Sequence, residues 1–235
     1  MIKVELINPE EVMSLYKHWG EFACQCYNTD ISQAEKVGKH CMASHHYSGS
    51  RTEYFKFKIS SISRACSLQL NRHSQGVVIN QQSQRYCDMN NTEFVIPSTI
   101  QNNPATLEIY NNLIVHSKQA YGQIQAILSQ NLNKEQSNQD ARYALLESCE
   151  TQGTWGFTLE ALIHFMHKRL CIRSQWEIRE LANLMKEEVI KILPELNTQL
   201  VPHCEYLLWC PEGNKGCGRY KSKEDFKEFV KNKKC

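Results

Sequence analysis

Residues 69–86 read QLNRHSQGVVINQQSQRY. The segment holds two arginines and a histidine among glutamines, asparagines and serines. An arginine guanidinium is a planar fork of donors that can bind a phosphate or a ring carbonyl at two points, and neighbouring amides and hydroxyls can bond sugar and ring atoms. The segment therefore predicts a site for a phosphorylated planar ligand. Taken on its own, such a segment is more often a polar loop that carries a surface ion pair.

The residues on either side set the expected local structure. Residues 54–59 alternate aromatic or aliphatic side chains with lysine, which is typical of a strand with one solvated face. Residues 62–71 predict a short helix, and residues 74–80 an extended or looping connection. A first strand is expected at residues 2–7, and a helix that starts near Pro9 follows it.

Apolar residues at helical spacing predict three further helical blocks. From Pro104 to about Leu132 they mark a long amphipathic helix whose apolar side chains should pack into the core. The polar residues 131–138 break this pattern, and residues 139–146 predict a short new helix. Residues 159–193 predict either one broken helix or two.

Length, charge and cysteine content narrow the functional classes. The chain has 235 residues, 27 lysines and arginines, 25 acidic residues and a net charge of +2, so no large positive excess points to nucleic acid or an anionic membrane as partner. Eleven cysteines without a leader-like N-terminus indicate an intracellular protein whose thiols stay reduced, and we expect a cytoplasmic location. No apolar run is long enough to predict a membrane span.

The segment resembles the signature of flavin-dependent thymidylate synthases. That signature runs Arg-His-Arg, then seven or eight residues, then serine, any residue and arginine. This chain has Arg72-His73-Ser74, eight residues, and Ser83-Gln84-Arg85. It departs from the family at Ser74, where the third basic residue is missing.

Two further blocks carry the resemblance in the right order. Residues 140–142, Asp-Ala-Arg, are similar to the family's Ala-Arg pair, and residues 168–182, KRLCIRSQWEIRELA, are close to its C-terminal stretch. The resemblance covers roughly residues 44–193. We therefore expect a flavin-dependent thymidylate synthase-like domain over residues 1–200 and a cysteine-containing extension over residues 201–235.

The resemblance implies an α+β fold in which long helices flank a mainly antiparallel sheet. It also implies an enzyme that methylates dUMP to dTMP with FAD, with methylenetetrahydrofolate as carbon donor and NADPH as reductant. The family forms homotetramers whose active sites lie at subunit interfaces. Family members use no cysteine nucleophile, so an arginine must polarise the pyrimidine where negative charge develops.

The family's functional residues can be carried over position by position. Arg169 and Ser83 match catalytic positions, and Arg169 is the expected polarising group. The positions that match dUMP contacts are Gln69, Ser83, Gln84, Arg85, Arg142 and Arg169. The positions that match FAD contacts are Arg72, His73, Ser74, Asn80, Gln81, Thr158 and Arg173.

Changes on the flavin side leave the product open. Thr158 stands where the family has asparagine, and Glu160 stands where it has arginine. We expect Arg51 to replace the missing cation beside the cofactor phosphate. These departures keep two alternatives in view: a related enzyme that makes a hydroxymethylated pyrimidine nucleotide, and a paralogue that binds FAD and nucleotide without turnover.

The C-terminal region holds a second group of chemically active side chains. His203, Cys204, Cys210 and Cys217 include soft ligands with turn glycines between them, but their spacing is irregular for a zinc site. Unligated packing is the favoured interpretation, so we expect no metal, while zinc and a disulfide stay open. The lysine-rich tail from Tyr220 predicts a solvated terminal helix or a frayed end.

Overall fold

The computed structural model describes residues 1–232, without the side chains of residues 214, 231 and 232. The end of the expected 201–235 extension therefore lies outside the described residues. The fold is α+β, and the predicted combination of an antiparallel sheet with long helices is confirmed. The sheet has four strands in the order β1-β2-β4-β3. The strands are β1 Lys3–Leu6, β2 Tyr54–Ser63, β3 Val77–Gln81 and β4 Glu150–Thr158.

The helices within the described residues precede, connect and follow these strands. The N-terminal helices are α1 Pro9–Met13, α2 Leu15–Tyr27 and α3 Ala34–Ala43. The central helices are α4 Arg64–Asn71, α5 Ser98–Gln101, α6 Pro104–Leu128 and α7 Lys134–Ala141. The C-terminal helices are α8 Leu159–Arg169, α9 Trp176–Ile192, α10 His203–Leu207 and α11 Lys223–Asn232. Short 3-10 turns are Ile31–Gln33, Tyr47–Arg51, Arg142–Ala144, Pro194–Thr198 and Gly213–Lys215.

Strand β2 has the half-buried character that its alternating residues predict. Phe55, Phe57 and Ile59 are fully buried, whereas Lys58 is exposed. The ring of Phe57 meets the edge of Phe157 with centroids 6.3 Å apart. Aromatic pairs of this geometry add to the stabilisation that comes from burying their area.

The structure refines the sequence prediction at two places, strand β3 and the last helical block. Residues 74–80, expected as an extended or looping connection, include most of β3. Residues 159–193 form the two helices α8 and α9. Gln175 is the N-cap of helix α9, and its side chain accepts hydrogen bonds from the amides of Glu177 and Ile178.

The prediction for residues 131–146 was wrong. Helix α7 begins at Lys134 inside the polar stretch and ends at Ala141. Asn133 accepts a hydrogen bond from the amide of Gln136, and the Gln136 side chain accepts one from the amide of Asn133. This reciprocal capping box stabilises a helix start in spite of the low apolar content.

The prediction that helix α6 packs its apolar face into the core was also largely wrong. Of its residues only Ser117 and Tyr121 are buried. The helix starts as predicted, with Asn103 capping the amides of Ala105 and Thr106. Several of its large apolar side chains are exposed on the single chain, namely Ile109, Leu113, Val115, Ile124 and Ile127.

The chain divides into two compact units, which we describe separately. The first comprises residues 1–3, 59–72 and 80–154. Its apolar cluster is formed by Met89, Phe94, Tyr121, Ala141 and Cys149. The Tyr121 hydroxyl accepts a hydrogen bond of 3.1 Å from the amide of Met89, which satisfies a buried donor.

The second unit comprises residues 4–58, residues 73–79 and the chain from Trp155 onward. Helices α2 and α3 pack closely in it at two glycines. A Cβ atom at Gly20 would collide with the carbonyl of Ala34, and one at Gly38 would collide with the carbonyl of Tyr16. Neither glycine therefore tolerates a side chain without separation of the helices.

Within residues 1–232, no helix combines the length and the apolar content that crossing a bilayer requires.

We expect Gly20→Ala to lower the free energy of unfolding by about 3 kcal/mol, because its methyl group must displace the backbone of α3. Urea unfolding followed by circular dichroism measures the change. Lys17→Ala, on the exposed side of the same helix, is the control and should change stability by less than about 0.5 kcal/mol. Equal effects of the two substitutions would contradict the close approach of α2 and α3.

Candidate active site

Helix α4 carries the start of the signature segment, and local hydrogen bonds define where it begins. Ser63 caps the helix by accepting a bond of 2.9 Å from the amide of Cys66. The amide of Arg64 donates to the carbonyl of Cys149 at 3.0 Å, and the amide of Ala65 donates to the carbonyl of Glu147 at 2.9 Å. These bonds hold the first turn of α4 against residues 147–149.

The Gln81 side chain joins α4 to strands β3 and β4. Its carbonyl oxygen accepts a bond of 2.9 Å from the Asn71 side chain. Its amide nitrogen donates to the hydroxyl oxygens of Ser67 and Thr151, each at 3.0 Å. Gln81 matches a flavin position, but the structure uses its side-chain donors for these internal bonds.

An open cleft in the first unit brings together two of the predicted nucleotide residues. Its volume is about 370 Å³. Gln84 and Arg142 line it, whereas Gln69, Ser83 and Arg85 do not. The other lining residues are Arg64, Leu68, Tyr143, Leu145, Leu146 and Glu147.

A buried thiol holds the amide of Gln84 beside this cleft. Gln84 Nε2 lies 3.6 Å from Cys149 Sγ, and the Thr92 hydroxyl lies 3.3 Å from the same sulfur. Burial raises the pKa of the Cys149 thiol, so the group stays protonated near neutral pH. Cys149 therefore acts as a neutral hydrogen-bonding partner here, and a thiolate nucleophile is disfavoured.

Arg142 reaches the cleft because α7 ends directly before it. It is the C-terminal cap of α7 and the first residue of the 3-10 turn Arg142–Ala144. Its guanidinium carbon lies 6.0 Å from the ring centroid of the exposed Tyr143. The stacked ring leaves the edge of the guanidinium available for an anion.

Arg85 and Ser83 occupy a different local environment. The Arg85 guanidinium forms an ion pair with Glu135 of α7 and lies over the Tyr86 ring, 5.6 Å from its centroid. Ser83 Oγ accepts a bond of 3.2 Å from the amide of Arg85. Gln69 is half-buried near the end of α4.

In the second unit, the structure joins Arg169 directly to His73. Arg169 Nε donates a hydrogen bond of 3.0 Å to His73 Nε2. The His73 ring meets Phe165 edge-on, with centroids 5.0 Å apart. Because Nε2 accepts, the proton of the neutral imidazole must lie on Nδ1. Arg169 stands at the end of α8, and His73 fixes the plane of its guanidinium.

Burial and nearby cations keep this histidine neutral. Desolvation is the main cause that lowers the pKa of His73 from 6.5 to about 4, and the charges of Arg169, His164 and Lys168 add to it. A protonated ring would lose its acceptor at Nε2 and would repel the guanidinium. The pair is therefore intact near neutral pH.

Thr158, a predicted flavin contact, has a structural role in the described chain. It is 3% exposed, and its hydroxyl caps α8 by accepting a bond of 3.3 Å from the amide of Ala161. Its own amide donates to the carbonyl of Gly76 at 2.9 Å. Gly76 has a φ of 68°, and a Cβ there would lie 2.7 Å from the Thr158 hydroxyl, so only glycine fits.

Two departures from the family pattern pair with each other. Arg51 Nε lies 2.6 Å from a carboxylate oxygen of Glu160. Both side chains are substantially exposed, so solvent screens the ion pair and its contribution to stability is small. The expected role of Arg51 as a cation beside the cofactor phosphate requires Arg51 to leave this carboxylate.

The remaining predicted flavin residues are exposed polar or cationic groups. No side-chain hydrogen bond or ion pair within residues 1–232 engages them. They are Arg72 and Asn80 in the first unit, and Ser74 and Arg173 in the second.

The C-terminal cysteines form no metal centre in the part of the chain that the structure describes. No group of three or more histidine, cysteine or acidic side chains is placed there to hold a metal, and the ten cysteines of this part are free thiols. Cys210 is buried and its amide bonds to the carbonyl of Lys221, whereas Cys217 is exposed.

Sequence reasoning missed Arg64, Leu68 and Glu147 as cleft residues. Arg64 and Leu68 lie one turn apart on α4, a spacing that places both on one face of a helix. The helix itself was expected from the sequence, so that spacing was the available signal. Glu147 had no local signal, because tertiary hydrogen bonds bring its segment to α4.

Comparisons with known proteins agree on one family. The family described as "Thymidylate synthase complementing protein" matches residues 12–195. A flavin-dependent thymidylate synthase of Nitratidesulfovibrio vulgaris is 37% identical over 168 residues, which cover 71% of this chain and 68% of the relative. The enzyme of the same name from Clostridium tetani is 32% identical over 242 residues, which cover 93% and 94% of the two chains.

A solved structure shows the same fold. It is Thymidylate Synthase X from Helicobacter pylori, determined with FAD and dUMP. The TM-score is 0.55 at 18% identity, and the match covers 80% of this chain and 94% of the other.

The stability of the protein should fall as the pH falls from about 6.5 to about 4, because the folded chain disfavours protonation of His73. The sign follows from the lowered pKa: in this window the unfolded chain binds the proton before the folded chain does. Burial also lowers the pKa of His167 to about 4, so His167 changes the stability in the same direction. Urea unfolding at a pH of about 7 and of about 4.5 measures the loss.

The variant His73→Gln keeps a hydrogen-bond acceptor for Arg169 and removes one titrating group. It should show a smaller loss of stability between the two pH values than the wild-type protein. An unchanged pH dependence would mean that His73 titrates in the folded protein as it does in the unfolded chain.

Proposed function

The chain belongs to the family of thymidylate synthase complementing proteins, and we propose that it methylates dUMP to dTMP as a flavin-dependent thymidylate synthase. FAD, methylenetetrahydrofolate as carbon donor and NADPH as reductant are the cofactor and co-substrates of this reaction. The observation that carries the proposal is the cleft that Gln84 and Arg142, two residues matched to nucleotide positions, both line.

The cleft suits a pyrimidine nucleotide. Arg142 supplies an always-charged group with several donors for the phosphate. Gln84, held by the Cys149 thiol, presents an amide to the sugar or the base. We assign Gln69, Ser83 and Arg85 to the same substrate on the resemblance alone, and Arg85 must exchange its Glu135 partner for the phosphate to take part.

The exposed polar residues matched to flavin positions fit FAD. Arg72 in the first unit and Arg173 in the second each form no ion pair with an acidic residue within residues 1–232, so each can bind an anionic group. Asn80 and Ser74 offer neutral donors and acceptors, whereas Thr158 and Gln81 support the backbone around these positions. When bound, FAD supplies the hydride that reduces the pyrimidine.

Arg169 is our choice for the group that polarises the pyrimidine. Its Nε donates to His73, so the plane of the guanidinium is pre-oriented. A fixed donor stabilises developing negative charge without reorganisation at the moment of reaction. The neutral state of His73 leaves the full positive charge on Arg169.

We propose that the working form is a homotetramer with active sites at subunit interfaces. The exposed apolar residues of α6 support this assembly. Ile109 is 70% exposed and Ile127 is 64% exposed, on a 25-residue helix of which only two residues are buried. Burial of such side chains against other copies removes apolar surface from water.

Two broader assignments remain part of the proposal. We place the catalytic domain at residues 1–200 and treat residues 201–235 as an extension to it, because the family match ends at residue 195. We place the enzyme in the cytoplasm, and the ten free thiols of residues 1–232 agree with a reducing compartment.

The test of the function is the identity of the product. Purified protein supplied with FAD, dUMP, methylenetetrahydrofolate and NADPH should release dTMP, identified by its mass and its chromatographic retention. Arg169→Lys should lower kcat by about 100- to 1000-fold, because lysine has no Nε donor for His73 and no guanidinium for the ring.

A matched control is Arg219→Lys, which alters an arginine that pairs with Glu205 at the surface. This variant should keep the wild-type kcat. A hydroxymethylated nucleotide as product would replace the proposed reaction by the related one. Binding of FAD and dUMP with no modified nucleotide would show a paralogue without turnover.

A further inference from the structure

We infer that His203 and Tyr206 of helix α10 are positioning residues for Arg169. The inference rests on the proposed function, because it takes Arg169 as the group that polarises the pyrimidine. It gives a role in the reaction to the start of the 201–235 extension, which lies beyond the family match that ends at residue 195.

The last two turns of α8, which end at Arg169, contact both His73 and helix α10. The rings of Phe165 and His164 lie edge-on to His73, with centroids 5.0 and 6.3 Å away. His167, two residues before Arg169, contacts the rings of α10 instead. The course of α8 at its C-terminal end therefore depends on both sets of contacts, and the backbone position of Arg169 depends on that course.

Two rings of α10 pack on the imidazole of His167. His203 stacks on it with centroids 5.1 Å apart and an angle of 11° between the planes, and the Tyr206 ring lies 4.8 Å away at 37°. The backbone carbonyl of Gln199 accepts a hydrogen bond from the same imidazole. Burial lowers the pKa of His167 to about 4, so the ring is neutral near neutral pH and carries no charge that opposes these contacts.

The second ring nitrogen of His167 makes these contacts necessary. His167 Nε2 is buried, and no hydrogen-bond partner for it lies in the part of the chain that the structure describes. A buried acceptor without a partner is destabilising, and the close packing of the two α10 rings offsets that cost. Without those rings, water would reach Nε2 and favour an imidazole turned out of this position. The end of α8 would lose its contact with α10.

Helix α10 is itself held by a polar network that begins at the turn Tyr47–Arg51. The Tyr47 hydroxyl donates a hydrogen bond of 3.2 Å to the side-chain oxygen of Gln199. His45 Nδ1 lies 3.0 Å from the Tyr47 hydroxyl and 3.4 Å from the Tyr206 hydroxyl. The His45 ring also meets Tyr206 edge-on, with centroids 6.1 Å apart. Tyr206 therefore contacts two separate segments, which limits the movement of α10 against α8.

A small displacement at the end of α8 changes the position of the guanidinium. Arg169 Nε donates to His73 Nε2 at 3.0 Å, and such a bond weakens steeply when its geometry is lost. A fixed donor stabilises developing charge only while it keeps its place, and a misplacement of about 1 Å can cost about 100-fold in rate. His203 and Tyr206 thus act through Arg169 and not on the substrate.

The first experiment observes the pair of Arg169 and His73 directly, by nitrogen NMR of the histidine-labelled protein supplied with FAD. At a pH of about 7 the wild-type protein should show His73 with its proton on Nδ1 only, because Nε2 accepts from Arg169. Tyr206→Ala should show a mixture of the two neutral tautomers. The variant His73→Gln identifies the His73 signals by their absence.

The second experiment is a double-mutant cycle on the formation of dTMP. Tyr206→Ala should lower kcat by about 10-fold and change the Kd for dUMP by less than about 2-fold, because a fixed donor acts mainly on charge that develops in the transition state. In the Arg169→Lys background the same substitution should change kcat by less than about 2-fold, since the group that it positions is already absent. Tyr206→Phe, which keeps the ring, should retain most of the wild-type kcat.

Two further variants separate positioning from folding. Leu208→Ala removes an apolar side chain that directly follows α10 and is 58% exposed, so it should keep the wild-type tautomer of His73 and the wild-type kcat. His203→Ala removes an exposed ring and should change both readouts in the same direction as Tyr206→Ala. It therefore tests the inference even where Tyr206→Ala does not fold.

The outcomes distinguish this inference from the proposed function. An unchanged His73 tautomer in the folded α10 variants would overturn the inference and leave the proposed function intact. Equal losses of kcat in the wild-type and Arg169→Lys backgrounds would also overturn it, since Tyr206 would then act independently of Arg169. A wild-type protein that forms no dTMP would overturn the proposed function, while the NMR comparison would still decide whether α10 positions Arg169.

Discussion

The arrangement of the first unit depends on the hydrogen bonds of the Gln81 side chain. Its three hydrogen bonds reach Asn71 and Ser67 on α4 and Thr151 on β4, and they use both amide hydrogens and the carbonyl oxygen. Loss of this amide would remove one hydrogen bond each from Asn71, Ser67 and Thr151, of which Ser67 and Thr151 are buried. A lost hydrogen bond at a buried polar group is destabilising. Because α4 is tied to β3 and β4 in this way, Arg64 at its first turn and Arg72 after its last turn have defined positions.

In the second unit, too, a few hydrogen bonds position the functional side chains. His73 orients Arg169, and burial keeps the imidazole neutral so that it can accept the hydrogen bond. Thr158, which matches a flavin position, caps α8, the helix that ends at Arg169. Glu160 stands where the family has arginine, and Arg51 forms an ion pair with it. The opposite charges of these two departures from the family pattern therefore compensate each other.

Local sequence patterns predicted those helices and strands whose buried and exposed residues follow from the pattern of a single segment. The lysine alternation of residues 54–59 predicted β2, and Pro104 predicted the start of α6. Helix α7 was misplaced because its capping box lies in a polar run that was interpreted as a break. The exposure of α6 and the presence of Arg64 in the cleft depend on tertiary or intermolecular contacts, which helical spacing alone does not contain. The resemblance matched Arg142 and Gln84 to nucleotide positions, and the structure places both on one cleft.

The central claim is that the cleft between the start of α4 and residues 142–147 holds the nucleotide. A crystal structure of the protein with FAD and dUMP tests it most directly. The account predicts phosphate oxygens at about 2.7–3.2 Å from guanidinium nitrogens of Arg142. A phosphate bound outside this cleft, with Arg142 directed into solvent, would contradict it.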